Sequence, residues 1–306
     1  MGNLTPKMKS RNLFFFGSDK YSQTVLARLS QEPTFQITHL TNLSIIPPIT
    51  SDTLGLSASF PHLFPLKIIA AFDGRLYNLH PSLLPQYRNV APAPYAIALG
   101  DTVTGITLFR ISSGIDNGEI VAQVKEPILQ TDTSPILLHR LFAKGSELFV
   151  KHLIAPSGPG PAGPGPNEPL IFTHRLTSQD GHVEWPVLQK LLANQPIGPH
   201  ETVNPLLRLR LKRTLLVGHP TRRVLEGTQI LHDLVRGLSG WERVWSIAPT
   251  KKGELRITLV IKGSDLKGSA HPADSKTGRS DPQDTQILIS GKPHPISLAD
   301  FTKYYF

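Results

Sequence analysis

The sequence predicts an open α/β sheet of mostly parallel strands, followed by a small β-rich unit. Three observations predict it. Near the start, an apolar run ends in a glycine turn and leads through a helical stripe to a second apolar run, the usual opening of a parallel sheet. At residues 155–169 the run APSGPGPAGPGPNEP is rich in Pro and Gly, nearly uncharged, and reads as a semi-flexible linker. Beyond it lie short β-like runs with Trp185, Trp241 and Trp245. The expected division is 11–154, a linker at 155–170, and 171–306.

Leu13–Phe16 reads as a buried strand ended by Gly17 and Ser18. Tyr21–Leu29 sets Val25, Leu26 and Leu29 on one helical face. Phe35–Leu43 reads as a second strand, and residues 44–66, dominated by proline and serine, give no regular signal. Leu66–Phe72 and Leu76–Leu79 read as the third and fourth strands, Ala93–Leu99 as a helix, and Thr104–Ile111 and Glu119–Ile128 as two further strands. Ser134-Pro135 is a helix start, followed by a stripe of Leu138, Leu141, Phe142, Leu148 and Phe149. Strand-like runs after the linker are Leu207–Leu211, Leu255–Ile261 and Gln286–Ile289, with a polar stretch at 263–285.

Composition narrows the function classes. Of 306 residues, 39% are hydrophobic, enough for ordinary cores. No apolar run approaches the ~18 residues that cross a bilayer, so no membrane partner is expected. Cysteine is absent, which excludes disulfide scaffolds, thiolate metal sites and cysteine nucleophiles. Residues 171–306 hold 19 basic and 12 acidic residues, whereas residues 1–170 hold 13 and 11. A near-neutral first part joined to a basic second part points to a polyanion partner for the latter. Lys7, Lys9 and Arg11 precede the first acid, Asp19, a weak likeness to an organelle transit peptide.

The stretch 76–123 carries the chemistry. Asn78 and His80 are two apart on a predicted strand and leave the same face. Pro81 holds His80 extended. They stand at a strand end, where open α/β sheets bind ligands. Asp116 sits in a loop flanked by Gly114 and Gly118 that can present one carboxylate. A carboxamide, an imidazole and a carboxylate form an acyl-transfer set: an amide N–H steadies an oxyanion, a histidine moves a proton, and an aspartate orients the histidine. Each also has a plainer reading, as a strand-end residue, a structural histidine before proline, and a hairpin turn.

These residues resemble the folate-dependent formyltransferases, most of all their methionyl-tRNA branch. The match runs through Asn78-Leu79-His80-Pro81-Ser82-Leu83-Leu84-Pro85, Ala91-Pro92, Gly100-Asp101, Thr104-Gly105-Ile106-Thr107 and Gly114-Ile115-Asp116-Asn117-Gly118-Glu119-Ile120. Asp180-Gly181-His182-Val183-Glu184-Trp185 and the segment Leu231–Trp245 are similar to that branch's C-terminal domain. The resemblance implies a Rossmann-like formyltransferase domain and a small OB-like domain that holds tRNA. It implies formyl transfer from 10-formyltetrahydrofolate to the α-amino group of initiator methionyl-tRNA, without a metal, by a monomer in the mitochondrial matrix. Asn78, His80 and Asp116 would be catalytic. The folate would lie on Ile69, Ala70, Ala71, Phe72, Ser82, Ser113 and Gly114. Arg88, Arg208, Arg210, Lys212 and Arg213, the last four within the basic run 206–223, would meet tRNA.

Two departures stand out. Gln86-Tyr87-Arg88-Asn89 replaces the family's Arg-Tyr-Arg-Gly, and asparagine is expected to keep the left-handed turn. Between Leu43 and Asn78 the chain is short for the family. A parallel pair of strands at 68–71 and 76–79 would be joined by only Phe72-Asp73-Gly74-Arg75, which suits a hairpin rather than a crossover. A missing internal piece is the expectation that follows. The competing functions are a formyltetrahydrofolate hydrolase and a weakly active tRNA-binding homologue with an incomplete folate pocket.

Overall fold

The computed structural model describes residues 10–154, 170–216, 226–250, 253–261 and 285–290, with 292, 294–297 and 300–301. The basic N-terminal segment up to residue 9, the 155–169 run, Arg222 and Arg223, and nearly all of the 263–285 stretch lie outside the described residues. Two sheets organise the chain. The first has the order β2-β1-β3-β4-β5-β6, built from β1 (Arg11–Phe16), β2 (Phe35–Leu40), β3 (Leu54–Ala58), β4 (Leu76–His80), β5 (Val103–Arg110) and β6 (Ile120–Pro127). The first four strands of that order are parallel, and β5 and β6 close the edge antiparallel.

Helices cover both faces. The helix α1 (Lys20–Leu29) begins at Asp19, whose carboxylate accepts from the Tyr21 and Ser22 N–H groups while Ser22 answers in a capping box. Three more helices, α2 (Leu66–Phe72), α3 (Pro92–Ala98) and α4 (Ser134–Ile154), complete this part. Leu13, Phe15, Leu56, Tyr77 and Leu79 face the larger core with Val25, Leu141 and Phe149. Phe14, Phe16 and Leu76 face Phe72 of α2 in a second cluster.

The region from Leu43 to Asn78 differs from the sequence-based expectation. Leu66–Phe72 is a helix, not a strand. Its exposed positions 66, 67, 70 and 71 and its buried Phe72 follow a helical period that a seven-residue apolar run does not reveal by itself. The missing strand is Leu54–Ala58, inside the stretch that gave no regular signal. It is buried throughout, and Gly55 is required because a Cβ there would lie 2.4 Å from Leu76 Cδ1 and 2.9 Å from the Phe72 ring. The crossover from β3 to β4 is therefore residues 59–75 with a helix inside, long enough for parallel strands. Asp73 and Gly74, at φ 47° and 75°, end α2 in the left-handed region and do not turn a hairpin. The geometric reason for supposing a missing piece disappears.

After residue 170 come α5 (Ser178–Gly181), α6 (Trp185–Leu192), α7 (Pro205–Leu216) and α8 (Gly227–Leu238). Leu207–Leu211, expected as a strand, lies within α7. The expected β-rich part is present as an antiparallel sheet in the order β10-β9-β8-β7, from β7 (Val244–Thr250), β8 (Gly253–Ile261), β9 (Thr285–Ile289) and β10 (Ile296–Ser297). Leu231, Leu234, Leu238 and Ile257 join the same apolar cluster as the first sheet. Gly237 lets α8 press on α3, since a Cβ there would stand 2.8 Å from the Pro94 carbonyl oxygen. Among the described residues no helix is long and apolar enough to cross a membrane.

Candidate active site

Strand β4 ends at His80, and alternation puts Leu76, Asn78 and His80 on one face. Register sets Asn78 beside Ser57 of β3, and Ser57 beside Phe16 of β1. This row lies near the C-terminal ends of the parallel strands. There the chain passes to β2 on one side of β1 and to β3 on the other, a point where such sheets open a crevice.

His80 is 4% exposed. Its Nε2 lies 2.8 Å from the Tyr87 carbonyl oxygen, and its Nδ1 lies 3.4 Å from Asp116 Oδ2. Both ring nitrogens thus face acceptors, and a ring protonated at both would serve both. Asp116 stands in the loop between β5 and β6 at φ 46°, a left-handed conformation that aspartate tolerates better than most residues. Its Oδ2 also accepts from the Asn89 N–H at 2.7 Å. Asn89, at φ 80°, keeps the turn that glycine makes in the family, as expected from its side chain. The Asn78 amide is partly exposed and makes no hydrogen bond among the described residues. It is free to donate to a bound oxygen.

The loop after β4 is held from several sides. The Ser82 hydroxyl donates to the Gln86 carbonyl at 2.7 Å, and Thr107 Oγ1 donates to the Ser82 carbonyl at 2.7 Å. Gln123 Nε2 reaches the Leu84 carbonyl at 2.9 Å and Thr107 Oγ1 at 2.8 Å. Tyr87 is buried; its hydroxyl donates to Asp101 and accepts from Arg213 at 2.9 Å. Burial and the Asp101 charge push the Tyr87 phenol well above its ordinary value, against the opposing pull of Arg213.

Several expected contacts move. Ser82 is fully buried and spends its hydroxyl on the loop, so it does not face a ligand. Phe72 lies over Gly55 and Leu76, at the far end of β4 from His80. Ile69, Ala70 and Ala71 are on the same helix and not on a strand leading into the site. The crossover's site-side end is instead the loop after Ala58, with Phe60 and Phe64 packed on Phe16 and Leu63 and Leu66 exposed. Ser113 and Gly114 stand in the Asp116 loop, tightened by a Ser112 hydroxyl to Asn117 Oδ1 bond of 2.7 Å. Arg210 is buried, bonded to the Ala98 carbonyl and Asp233 at 3.0 and 2.9 Å, and unavailable to a phosphate. Arg213 is tied to Tyr87 and Asp101. Arg208 and Lys212 are exposed one turn apart on α7, and Arg88 lies over the Phe172 ring beside the site. Sequence reasoning missed Tyr87, Thr173 and Arg213 as supports of His80 and Asp116. The only sequence signal for Tyr87 is its place in the loop the family shares.

Residues 51–153 match the family model described as formyl transferase. The chain is 39% identical over 127 residues to a methionyl-tRNA formyltransferase of Corynebacterium diphtheriae, covering 42% of this chain and 41% of that one. It is 29% identical over 192 residues to a methionyl-tRNA formyltransferase of Bacteroides fragilis, covering 62% and 48%. The aligned part thus spans less than half the length of these curated relatives. Among solved structures, a methionyl-tRNA formyltransferase from Clostridium thermocellum superposes with a TM-score of 0.53 at 14% identity, covering 91% of this chain and 98% of that one. A 4-N formyltransferase from Francisella tularensis gives 0.54 at 13%, covering 84% and 99%. At such identities the structural likeness shows the fold, a Rossmann-like formyltransferase sheet with an antiparallel sheet after it.

Proposed function

We propose that this chain transfers a formyl group from 10-formyltetrahydrofolate to the α-amino group of initiator methionyl-tRNA. One observation carries the reading: within the segment matching the formyl transferase model, His80 and Asp116 meet at 3.4 Å beside an Asn78 amide that no described residue satisfies. The folate derivative supplies the formyl group. The amine attacks the formyl carbon, a new C–N bond forms, and the bond to the folate nitrogen breaks. The Asn78 amide donates to the formyl oxygen as charge grows on it, support that is worth most in a site shielded from water. Asp116 takes the amine proton through its second oxygen, directly or by way of water, and that proton passes to the folate nitrogen as it leaves. His80, held between Tyr87 and Asp116, handles protons at the same centre. The folate ring is placed against the apolar loop of Phe60, Leu63 and Phe64 and at Ser113 and Gly114 of the Asp116 loop.

For the RNA we assign Arg88, Arg208 and Lys212, supported by their positions and by the basic excess after the linker. The same reading places a monomer in the mitochondrial matrix, where it serves translation initiation. The basic residues Lys7 and Lys9 ahead of Asp19 favour that address. Imaging the tagged full chain tests it, and a purely cytosolic signal would reject it. The function itself is tested by incubating the purified full chain with 10-formyltetrahydrofolate and charged initiator tRNA. Formyl-methionine on the tRNA supports the reading. Release of free formate without it would support the hydrolase, and RNA binding without turnover would support a binding homologue.

A further inference from the structure

His80 is held by two acceptors, and each is tied to the chain beyond the linker. On one side, Tyr87, whose carbonyl accepts from Nε2, has its hydroxyl fixed by Asp101 and by Arg213 of α7. On the other, Asp116 accepts from the Asn89 N–H, and the Asn89 side-chain amide donates to the Thr173 carbonyl at 3.0 Å. Thr173 does more. Its N–H donates to the Arg88 carbonyl at 2.9 Å, and its hydroxyl is shared between the carbonyls of Arg88 and Val90. Two residues earlier, the Ile171 N–H donates to Gln86 Oε1 at 3.0 Å. Residues 171–173 therefore run beside 86–90 as a short parallel bridge, centred on Arg88 and Phe172.

The bridged loop needs holding. Tyr87, Asn89 and Ala91 all have positive φ, at 57°, 80° and 61°. Non-glycine residues adopt that conformation only where their surroundings over-determine it. Gln86, where the family has arginine, is buried and used in the bridge, so that departure has a structural role here.

We propose that Thr173 and Arg213 are positioning residues for the His80–Asp116 pair, so that the catalytic pair is set only when the region after the linker is docked on the first sheet. The proposal rests on the reading of His80 and Asp116 as the reacting pair. The region after the linker then has a second task besides holding RNA. Loss of its grip relaxes the 86–91 loop, moves the Tyr87 carbonyl and the Asn89 N–H, and leaves the imidazole free to turn.

The test uses the full chain labelled with ¹⁵N-histidine, the His80 ring signals being identified by their loss in His80→Gln. Thr173→Val removes one hydroxyl and keeps the shape. Without any substrate it is expected to move both His80 ring signals, while Thr173→Ser restores them. In the formylation assay Thr173→Val is expected to lower kcat about tenfold, the size of one lost hydrogen bond, with KM for either substrate changed less than about twofold. Arg213→Met is expected to act on the Nε2 signal more than on Nδ1. If Thr173→Val does not fold, Asn89→Gly keeps the positive φ, removes only the amide bond to Thr173, and is expected to show the same signature. Unchanged His80 signals with a lower melting temperature would overturn the proposal, as would a change in KM alone. The nuclear resonance arm decides even if the wild type transfers no formyl group, which would instead refute the proposed function.

Discussion

Asn89 carries three tasks at one position: its backbone turns left-handed, its N–H holds Asp116, and its amide holds Thr173. Alanine at φ 80° is strained, so Asn89→Ala is expected to lower stability by about 1–2 kcal/mol plus the lost hydrogen bond, and Asn89→Gly by less. Urea midpoints of the two variants check this, and equal midpoints would deny the strain. At the reacting groups, Asn78→Ala is expected to lower turnover about 10²–10³-fold and Asp116→Ala about 10²–10⁴-fold, with tRNA affinity nearly unchanged. Filter binding beside single-turnover kinetics separates the two, and parallel loss of both quantities would make the residues structural. Strand spacing and the flanking glycines made it legible that Asn78 and His80 share a face and that the Asp116 loop can present a carboxylate, whereas their joining in one set came from the resemblance. The place of Arg210 was not legible, since its partners, the Ala98 carbonyl and Asp233, are distant in sequence and nothing local announces them.

The helix α2 and the strand β3 show where elements escape a sequence reading. A strand of Leu-Gly-Leu-Ser-Ala has little β-propensity, because the bulk on its α2 face comes from Phe72 above Gly55 rather than from its own side chains. The helix that supplies Phe72 is short, starts after Pro65 with no side-chain cap, and is apolar but for Lys67. Phe72→Ala is expected to cost about 3–5 kcal/mol. Gly55→Ala is expected to destabilise as well, since the Leu76 and Phe72 side chains would have to move. Denaturant unfolding measures both, and a Phe72→Ala cost below about 1 kcal/mol would contradict the packing described. By contrast β1, α1 and α4 were legible from their apolar runs and stripes, and α4 also from Ser134-Pro135 at its start, although the Ser134 hydroxyl donates to the Gly237 carbonyl and does not cap the helix. On α7 the reading separates two arginine roles. Arg210→Met, which takes from buried Asp233 one of its two arginine partners, is expected to cost stability, whereas Arg208→Ala and Lys212→Ala are expected to weaken RNA binding and each reduce its salt slope by about 1. An Arg210 variant that loses RNA affinity while keeping full stability would reverse this assignment.

Across the whole molecule, composition suggested a division at 155–170, a stretch outside the described residues but for Leu170, whereas nothing in the sequence announced that both sides join one apolar cluster. No sequence pattern tells that α8 lies on α3 or that Thr173 bridges the site. Both are contacts between segments far apart in the chain. The buried ionisable groups give the molecule a defined pH window. Burial raises Tyr21 and Tyr95 to about 12 and Tyr87 well above its ordinary 10.0, so each remains neutral in the fold while the unfolded chain ionises from that ordinary value. Their contribution is complete below that pH and is lost as pH rises towards the folded values. At the acid end, burial lowers His152 from 6.5, so the unfolded chain takes up protons first and stability falls as pH drops below that value. A plot of melting temperature against pH is expected to fall on both sides, and His152→Gln to flatten the acid limb. A flat profile through either limb would remove these groups from the account.

The most direct measurement is single-turnover transfer of labelled formyl from 10-formyltetrahydrofolate to charged initiator tRNA, run with the wild type, Asn78→Ala and Asp116→Ala under saturating enzyme. The account predicts label on the methionine amine with the wild type and a loss of at least about 10²-fold with either variant. Equal rates in all three proteins would contradict it.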